Sequence, residues 1–413
     1  MTRQVCLTFH PVDVPAGEHA GTIQLGSGDT AQSVPLTLHL YPLRFPDKPA
    51  LHFGGWDYTN VLGHYEVTEQ NRPALIAHLR EHFVDSPWAV PSAMPFGEYD
   101  AAGAMTQAPD TANFDSWVEL WPGAAQYLVF AALNGSLKGF AMGTPEFDRA
   151  VGEWASFWAE HAAEKGLKPE QIGLLLVDEP QDPAQDAVII AWAKALHAAN
   201  TGVRVWEDPI YRDMSKAHPD LAAACDVLCP NREIFMSASQ EYRDYYLVQR
   251  DRGVTLEFYS CGGPVRLRDP YRYHRVQAWI CWQYGAKASY FWAFADGAGA
   301  SSWNEYAAPR NAYTPLFIDA ASITAGKHLE ACREGIEDFE YLVMLRDVIA
   351  VGEARGANAG TLEQARSLLA DLPRQVIDAG HTVTFRWMNE DVDHAPADRA
   401  REQLLEMLIK LEK

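Results

Sequence analysis

Leu174, Leu175, Leu176 and Val177 run directly into two adjacent carboxylates, Asp178 and Glu179, followed by Pro180. A buried strand that ends on two acids is suited to proton transfer, because one carboxyl that holds a proton and a neighbour that carries charge can act on the same small molecule. Successive residues of a regular strand point to opposite faces, so both acids reach one pocket only if the strand has ended or bulged there. Pro180 favours such an ending: it donates no ladder hydrogen bond and biases Glu179 towards extended rather than helical geometry. A capping role for the pair on the following helix is the weaker alternative, since Asp182 before Pro183 is the better-placed cap.

The elements that must position this pair begin at Leu51, where short apolar runs start to alternate with amphipathic segments, the pattern of βα units around a parallel sheet. Eight runs can be counted, at 51–56, 86–91, 126–132, 172–179, 203–208, 226–230, 255–260 and 289–295. Helical candidates lie between them at 71–83, 144–166, 182–200, 235–253 and 272–285. No GxGxxG or GxxxxGK[ST] turn follows any strand, so the α/β class is expected as a (β/α)8 TIM barrel, over 46–321, rather than a doubly wound nucleotide fold. Residues 1–45 alternate apolar and polar positions at 5–10, 21–26 and 33–43, which predicts three short antiparallel strands of a partial β-sandwich. So short an element cannot stand alone, and the chain is expected to begin partway into a longer protein. Residues 322–413 predict helices packed on the barrel.

The active end of such a barrel is the C-terminal mouth of its strands, which makes polar groups at strand ends the site candidates. These are Trp56, Asp57 and Tyr58 after the first strand, Asp178 and Glu179 after the fourth, Trp206, Glu207 and Asp208 after the fifth, and Asn231 after the sixth. Glu257 and Tyr259 on the seventh and Trp292 and Asp296 at the eighth complete the set. Aromatics and carboxylates dominate it, a mixture suited to carbohydrate: a sugar ring stacks its C–H face on indole or phenol, and its acetal needs a proton donor to leave. Packing in a large barrel core is an equally good account of any one of the 13 tryptophans.

Bulk properties narrow the partners. With 34 Lys and Arg against 55 Asp and Glu, the net charge of −21 opposes binding to nucleic acid or an anionic membrane, both of which need basic surfaces. No apolar run reaches the roughly 20 residues that span a bilayer, and the first residues lack the apolar segment of a signal peptide, so the chain as written is expected in the cytoplasm. The six cysteines form no CxxC pair and are expected as buried thiols, with Cys261 near a strand end as the exception. No HxH or HExxH spacing supports a metal-dependent hydrolase, and no cofactor or metal is expected. His274 and His328, both in helical segments, are given no role. Oligomeric state is not legible.

The segment LLLVDEP, together with CREGIEDFEYLVMLRD near the C-terminus, resembles glycoside hydrolase family 123, the N-acetyl-β-galactosaminidases, and a related barrel-domain family. Two further segments fit the same pattern. VPAGEHAGTIQL with PLTLHLYPLRFP resembles the last strands of that family's N-terminal sandwich, and YRYHRVQAWICWQYGAKASYFWAF its seventh helix and eighth strand. The resemblance implies a retaining enzyme in which the substrate's own 2-acetamido group is the nucleophile: Asp178 would orient that group, and Glu179 would act as general acid and then general base. An acid in this role must keep its proton near neutral pH, a condition that burial and the charge of Asp178 would help to meet. The implied substrate is a terminal N-acetyl-β-hexosamine, GalNAc first. Two other functions compete. In one, Glu257 is the nucleophile of a retaining glycosidase for sugars without an acetamido group, unless it lies too deep in the barrel. In the other, the barrel only binds carbohydrate. The acids and Arg333 of REGIEDFEY are expected to form a structural network.

Overall fold

The computed structural model describes residues 7–26, 31–297, 312–380 and 393–412. Eight short strands coincide with the eight apolar runs, the last beginning one residue before its run: β1 (His52–Gly54), β2 (Trp88–Ala89), β3 (Tyr127–Phe130), β4 (Ile172–Leu175), β5 (Arg204–Glu207), β6 (Val227–Leu228), β7 (Thr255–Leu256, resuming as Phe258–Ser260) and β8 (Ala288–Phe291). All pair in parallel. Hydrogen bonds join β2 through β7 in one arc and β7, β8 and β1 in another. The arcs are continuous through β7, where Glu257 separates the two pieces, and an isolated parallel bridge from Gly54 to Ser86 brings β1 to β2 and closes the ring. Gly54 is needed at that seam: a Cβ there would sit 2.3 Å from the Ser86 carbonyl oxygen.

Helices follow the strands as α1 (Arg72–Glu81), α2 (Ala112–Leu120), α3 (Pro145–Glu164), α4 (Pro183–Ala199), α5 (Leu221–Ala224), α6 (Arg232–Ser237), α7 (Gln240–Asp251) and α8 (Val276–Tyr284). Local chemistry sets their starts. The Thr144 hydroxyl accepts the Phe147 N–H before Pro145, and Asp182 accepts the N–H groups of Ala184 and Gln185 before Pro183. These contacts satisfy donors that a helix start leaves unpaired. The helix expected over 235–253 is split in two, because Ser239 caps a new start at Gln240.

Strand alternation sorts side chains into two cores. Leu128, Leu175, Trp206, Val227 and Tyr259 point into the barrel, while their neighbours Val129, Leu174, Val205, Leu228 and Phe258 face the helices. Indoles and phenols meet in the interior: Trp56 stacks on Trp88 at 4.4 Å, and Trp88 meets Trp206 edge-on at 4.9 Å. Such pairs contribute about 0.5–1.5 kcal/mol each beyond their buried area.

Beyond the barrel, an antiparallel hairpin (Leu316–Ile318 with Ile323–Ala325) precedes the long helix α9 (Lys327–Arg355), so the expected all-helical end starts a little later than residue 322. It continues as α10 (Ala359–Gly380) and α11 (Ala395–Glu412). Asp338 on α9 is fully buried and accepts from Arg275 Nε at 2.8 Å, Trp279 Nε1 at 2.9 Å and Arg401 Nε at 2.6 Å. One carboxylate therefore ties the last barrel helix to α9 and α11. Arg333 pairs with Glu330 and Glu337 of its own helix, in keeping with a structural role for REGIEDFEY.

At the other end, two of the expected three strands are seen among the described residues, Gly17–Leu25 paired with Gln32–Leu40. Residues 7–16 form none, and part of the first expected strand lies outside the described residues. Among the described residues no helix is long and apolar enough to cross a membrane.

Removing one partner of a buried ion pair leaves the other charge uncompensated. Asp338→Ala should therefore destabilise the fold by about 3–5 kcal/mol, read as a lower urea midpoint. An unchanged midpoint would show that Arg275 and Arg401 find other partners.

Candidate active site

At the C-terminal mouth of the barrel lies a cavity of about 610 Å³ lined by Trp56, Tyr58, His64, Tyr65, Phe130, Asp178 and Trp292, among others. Its aromatic wall is continuous. Trp292 lies 5.9 Å from Trp56, 6.1 Å from Tyr58 and 5.5 Å from Tyr65, and Tyr58 stacks on Tyr65 at 6.0 Å. Edges and faces of these rings, with a single carboxylate among them, offer a sugar-sized space with one strong hydrogen-bond acceptor.

The geometrical difficulty of two adjacent acids is resolved in the backbone. β4 ends at Leu175, and Glu179 takes a φ of +46°, a left-handed conformation that costs a non-glycine residue roughly 1–2 kcal/mol. This differs from the extended geometry that Pro180 favours. Its cause is a set of bonds from the chain beyond β5: Glu179 donates its N–H to Asp208 Oδ1 at 2.9 Å, and Ile210 donates its N–H to the Pro180 carbonyl at 3.1 Å. The turn lets both acids stay at the mouth on different bearings. Asp178 joins the cavity wall. Glu179, outside that wall, accepts the Tyr259 hydroxyl on Oε1 at 2.5 Å.

Crowding by neighbouring protein atoms, and second the charge of Glu179, push the Asp178 carboxyl up to about 6, although the residue is exposed at the mouth. Tyr259 is buried, and its hydroxyl is pushed up by burial, then by the charges of Asp208 and Glu179. It stays a phenol, and a donor. Asn231 is its second side-chain partner.

The other sequence candidates divide by strand parity. Trp56, Tyr58 and Trp292 line the cavity, and Asp296 accepts the Trp292 indole N–H at 3.1 Å, which orients that ring. Asp57 does not face the cavity: it is fully buried, accepts Thr59 N–H, the Thr59 hydroxyl and Trp88 N–H, and is pushed up to about 6 by burial. It clamps the loop that carries Trp56 and Tyr58. Trp206 points into the barrel beneath the site, with its indole N–H on Glu257 Oε2 at 2.7 Å. Glu207, next along β5, faces the opposite way, towards the helices, and accepts the Leu176 N–H at 3.0 Å. Asp208 is buried under the acid pair. Asn231 is mainly a helix cap, accepting Glu233 and Ile234 N–H.

Glu257 shares the inward parity of Tyr259 but sits two residues earlier, roughly 7 Å deeper along the strand. There it is buried against Trp206 and Gln126, in the field of Arg204 and His52 from the strand starts. It belongs to the barrel floor, well short of the mouth.

His64, Tyr65 and Phe130 were missed in the sequence. The loop after β1 returns to the mouth at HYE past Gly63, and its aromatic content was the available clue. Cys261, at the β7 exit, is exposed, and its thiol is pushed up to about 12 by burial and by the charges of Glu179, Glu233, Asp178 and Asp296. A thiol so held is a poor nucleophile. His274 and His328 are both buried away from the mouth, and burial lowers each of them. Among the described residues no group of three or more His, Cys, Asp or Glu could hold a metal ion.

No protein-family model matches the chain, and no curated protein matches it in sequence. Solved structures do match in fold. A family 123 glycoside hydrolase from Clostridium perfringens, described in terms of glycolipid glycan hydrolysis, superposes with a TM-score of 0.63 at 12% identity, over 96% of this chain and 76% of that one. An endo-beta-1,4-mannanase from Thermotoga petrophila is more loosely similar, with a TM-score of 0.44 at 10% identity over 71% and 77% of the two chains. An endo-1,4-beta-mannanase from Rhizomucor miehei has a TM-score of 0.38 at 11% identity, over 60% and 88%. The fold is a (β/α)8 barrel of the kind seen in the family 123 structure.

Replacing Asp57 removes three bonds and strands the Trp88 N–H in the interior. Asp57→Ala should cost about 1–3 kcal/mol of stability, measured by urea unfolding. A midpoint equal to the parent's would mean that the loop is held by other contacts.

Proposed function

We propose that the chain is a retaining glycoside hydrolase that removes terminal N-acetyl-β-hexosamine, GalNAc first, by substrate-assisted catalysis. The observation that carries this is the left-handed turn at Glu179, which leaves two consecutive carboxylates at one barrel mouth, Asp178 against an aromatic cavity and Glu179 on a tyrosine hydroxyl. Its fold likeness to a family 123 enzyme supports the same reading.

In this mechanism Glu179 gives its proton to the glycosidic oxygen as the bond from that oxygen to C1 breaks. The acetamido carbonyl oxygen closes on C1 from the opposite face. Asp178, ionised, accepts the acetamido N–H and balances the positive charge of the bicyclic intermediate. Glu179 then takes a proton from water, which opens the ring at C1 and restores the original configuration through a second inversion. Trp56, Tyr58, Tyr65 and Trp292 supply the faces on which the sugar stacks.

Glu257 as nucleophile is disfavoured by its depth and its bond to Trp206. A purely binding barrel predicts affinity without turnover. Two variants separate these readings: Glu179→Gln should lower hydrolysis of β-GalNAc and β-GlcNAc glycosides with unactivated leaving groups about 10²- to 10⁴-fold, which a purely binding barrel does not predict, and Glu257→Gln should stay close to the parent, which a Glu257 nucleophile does not predict. Cleavage of plain galactosides and glucosides alone would rule out the acetamido route.

The pH dependence has a defined sign. Asp178 must be ionised to accept the N–H, and its carboxyl is pushed up to about 6, so kcat/KM should fall as pH drops through about 6. Asp178→Asn should be slower and lack that limb. A limb at the same midpoint in the variant would assign the titration to another group.

A further inference from the structure

Resting on the reading above, we propose that Asp208 is a positioning residue of the acid pair: its carboxyl fixes the turn at Glu179 that aims Asp178 into the cavity and Glu179 at Tyr259. Asp208 does not line the cavity, so it would act through Glu179 and not by touching substrate.

The argument begins with the register of β4 and β5, in which Gly173 pairs with Arg204, Leu174 with Val205 and Leu175 with Trp206. Past Leu175 the chain leaves the sheet, and its amide groups lose the partners that a longer ladder would give them. Two successive side chains of the β5 end take over. Glu207, on the outer face, accepts the Leu176 N–H, and Asp208, on the inner face, accepts the Glu179 N–H. The Ile210 N–H then bonds the Pro180 carbonyl. The chain from 176 to 180 is thus held at three points, and the one that fixes Glu179 itself is Asp208.

The chemistry of Asp208 fits a fixed neutral bracket. It is 1% exposed, and its Oδ2 is buried without a hydrogen-bond partner among the described residues. Burial, and then the charges of Asp178, Glu207 and Glu179, raise its carboxyl well above the usual range. A carboxylic acid in this place presents one acceptor oxygen to the N–H and adds no charge beneath Asp178. An asparagine offers the same acceptor and the same neutrality.

The test compares the full-length parent with Asp208→Ala and Asp208→Asn, by steady-state kinetics on a β-GalNAc glycoside and by crystal structures. The alanine variant should lose about 100-fold in kcat with little change in KM. The asparagine variant should restore kcat to within about threefold of the parent. In the crystal, Glu179 should leave the left-handed region and its contact with Tyr259 in the alanine variant only. Unchanged kcat in D208A, a D208N as impaired as D208A, or an undisturbed Glu179 in the D208A crystal would overturn the assignment. If the parent cleaves no glycoside, the proposed function fails and the position of Glu179 in the crystals decides the role of Asp208 by itself. Were D208A too unstable to purify, Asp208→Ser would take its place under the same criteria for kcat and for the position of Glu179, and an impaired D208N would still overturn the assignment.

Discussion

A pleated strand gives every second side chain to one face, and this site depends on how the chain obeys and then breaks that rule. Obedience explains β5, where Trp206 fills the barrel, Glu207 turns to the helices and Asp208 turns back inward. It also explains β7, where Glu257 and Tyr259 share a face at different depths. Asp178 and Glu179 stay together at the mouth only because the backbone beyond β4 enters the left-handed region at Glu179. That conformation costs roughly 1–2 kcal/mol, an amount that two side-chain hydrogen bonds of about 0.5–1.5 kcal/mol each can offset.

The electrostatics follow from the same crowding. Asp178 and Asp208 lie close together beside Glu179, and burial raises both carboxyls with no opposing cation among the causes. Carboxylates so placed cannot all be ionised near neutrality. The overall charge of −21 describes the surface of the molecule and says little about this interior.

Much of the architecture was legible because it rests on periodicity: apolar runs marked all eight barrel strands, and Thr144-Pro145 and Asp182-Pro183 marked helix starts by their capping chemistry. The end of the fourth apolar run was legible as a place where two adjacent carboxylates leave the sheet, and there Asp178 lines the cavity and Glu179 meets Tyr259. Side-chain bearing was harder to read. Asp57, Trp206, Glu207 and Glu257 are strand-end residues by position, yet each is committed to internal bonds that depend on which face the strand turns inward. The wall formed by His64 and Tyr65 was lost for a different reason: it comes from a loop folding back over the mouth, and that path leaves no period in the sequence. Of the N-terminal strands, the two that pair as a hairpin were legible, whereas residues 7–10 of the stretch 5–10 form no strand, because alternation resembles a strand whether or not a partner pairs with it.

The indoles inside the ring have a consequence for how such a protein can change. Trp56 lines the cavity and stacks on Trp88, which packs edge-on against Trp206. The base of the binding space is thus also the keystone of the fold. Altering ligand preference from below would sacrifice packing at every step, whereas the segment carrying His64 and Tyr65 borders the same space from outside the ring. New specificities in this scaffold should arise by rewriting the overhanging loop and leaving the tryptophans untouched.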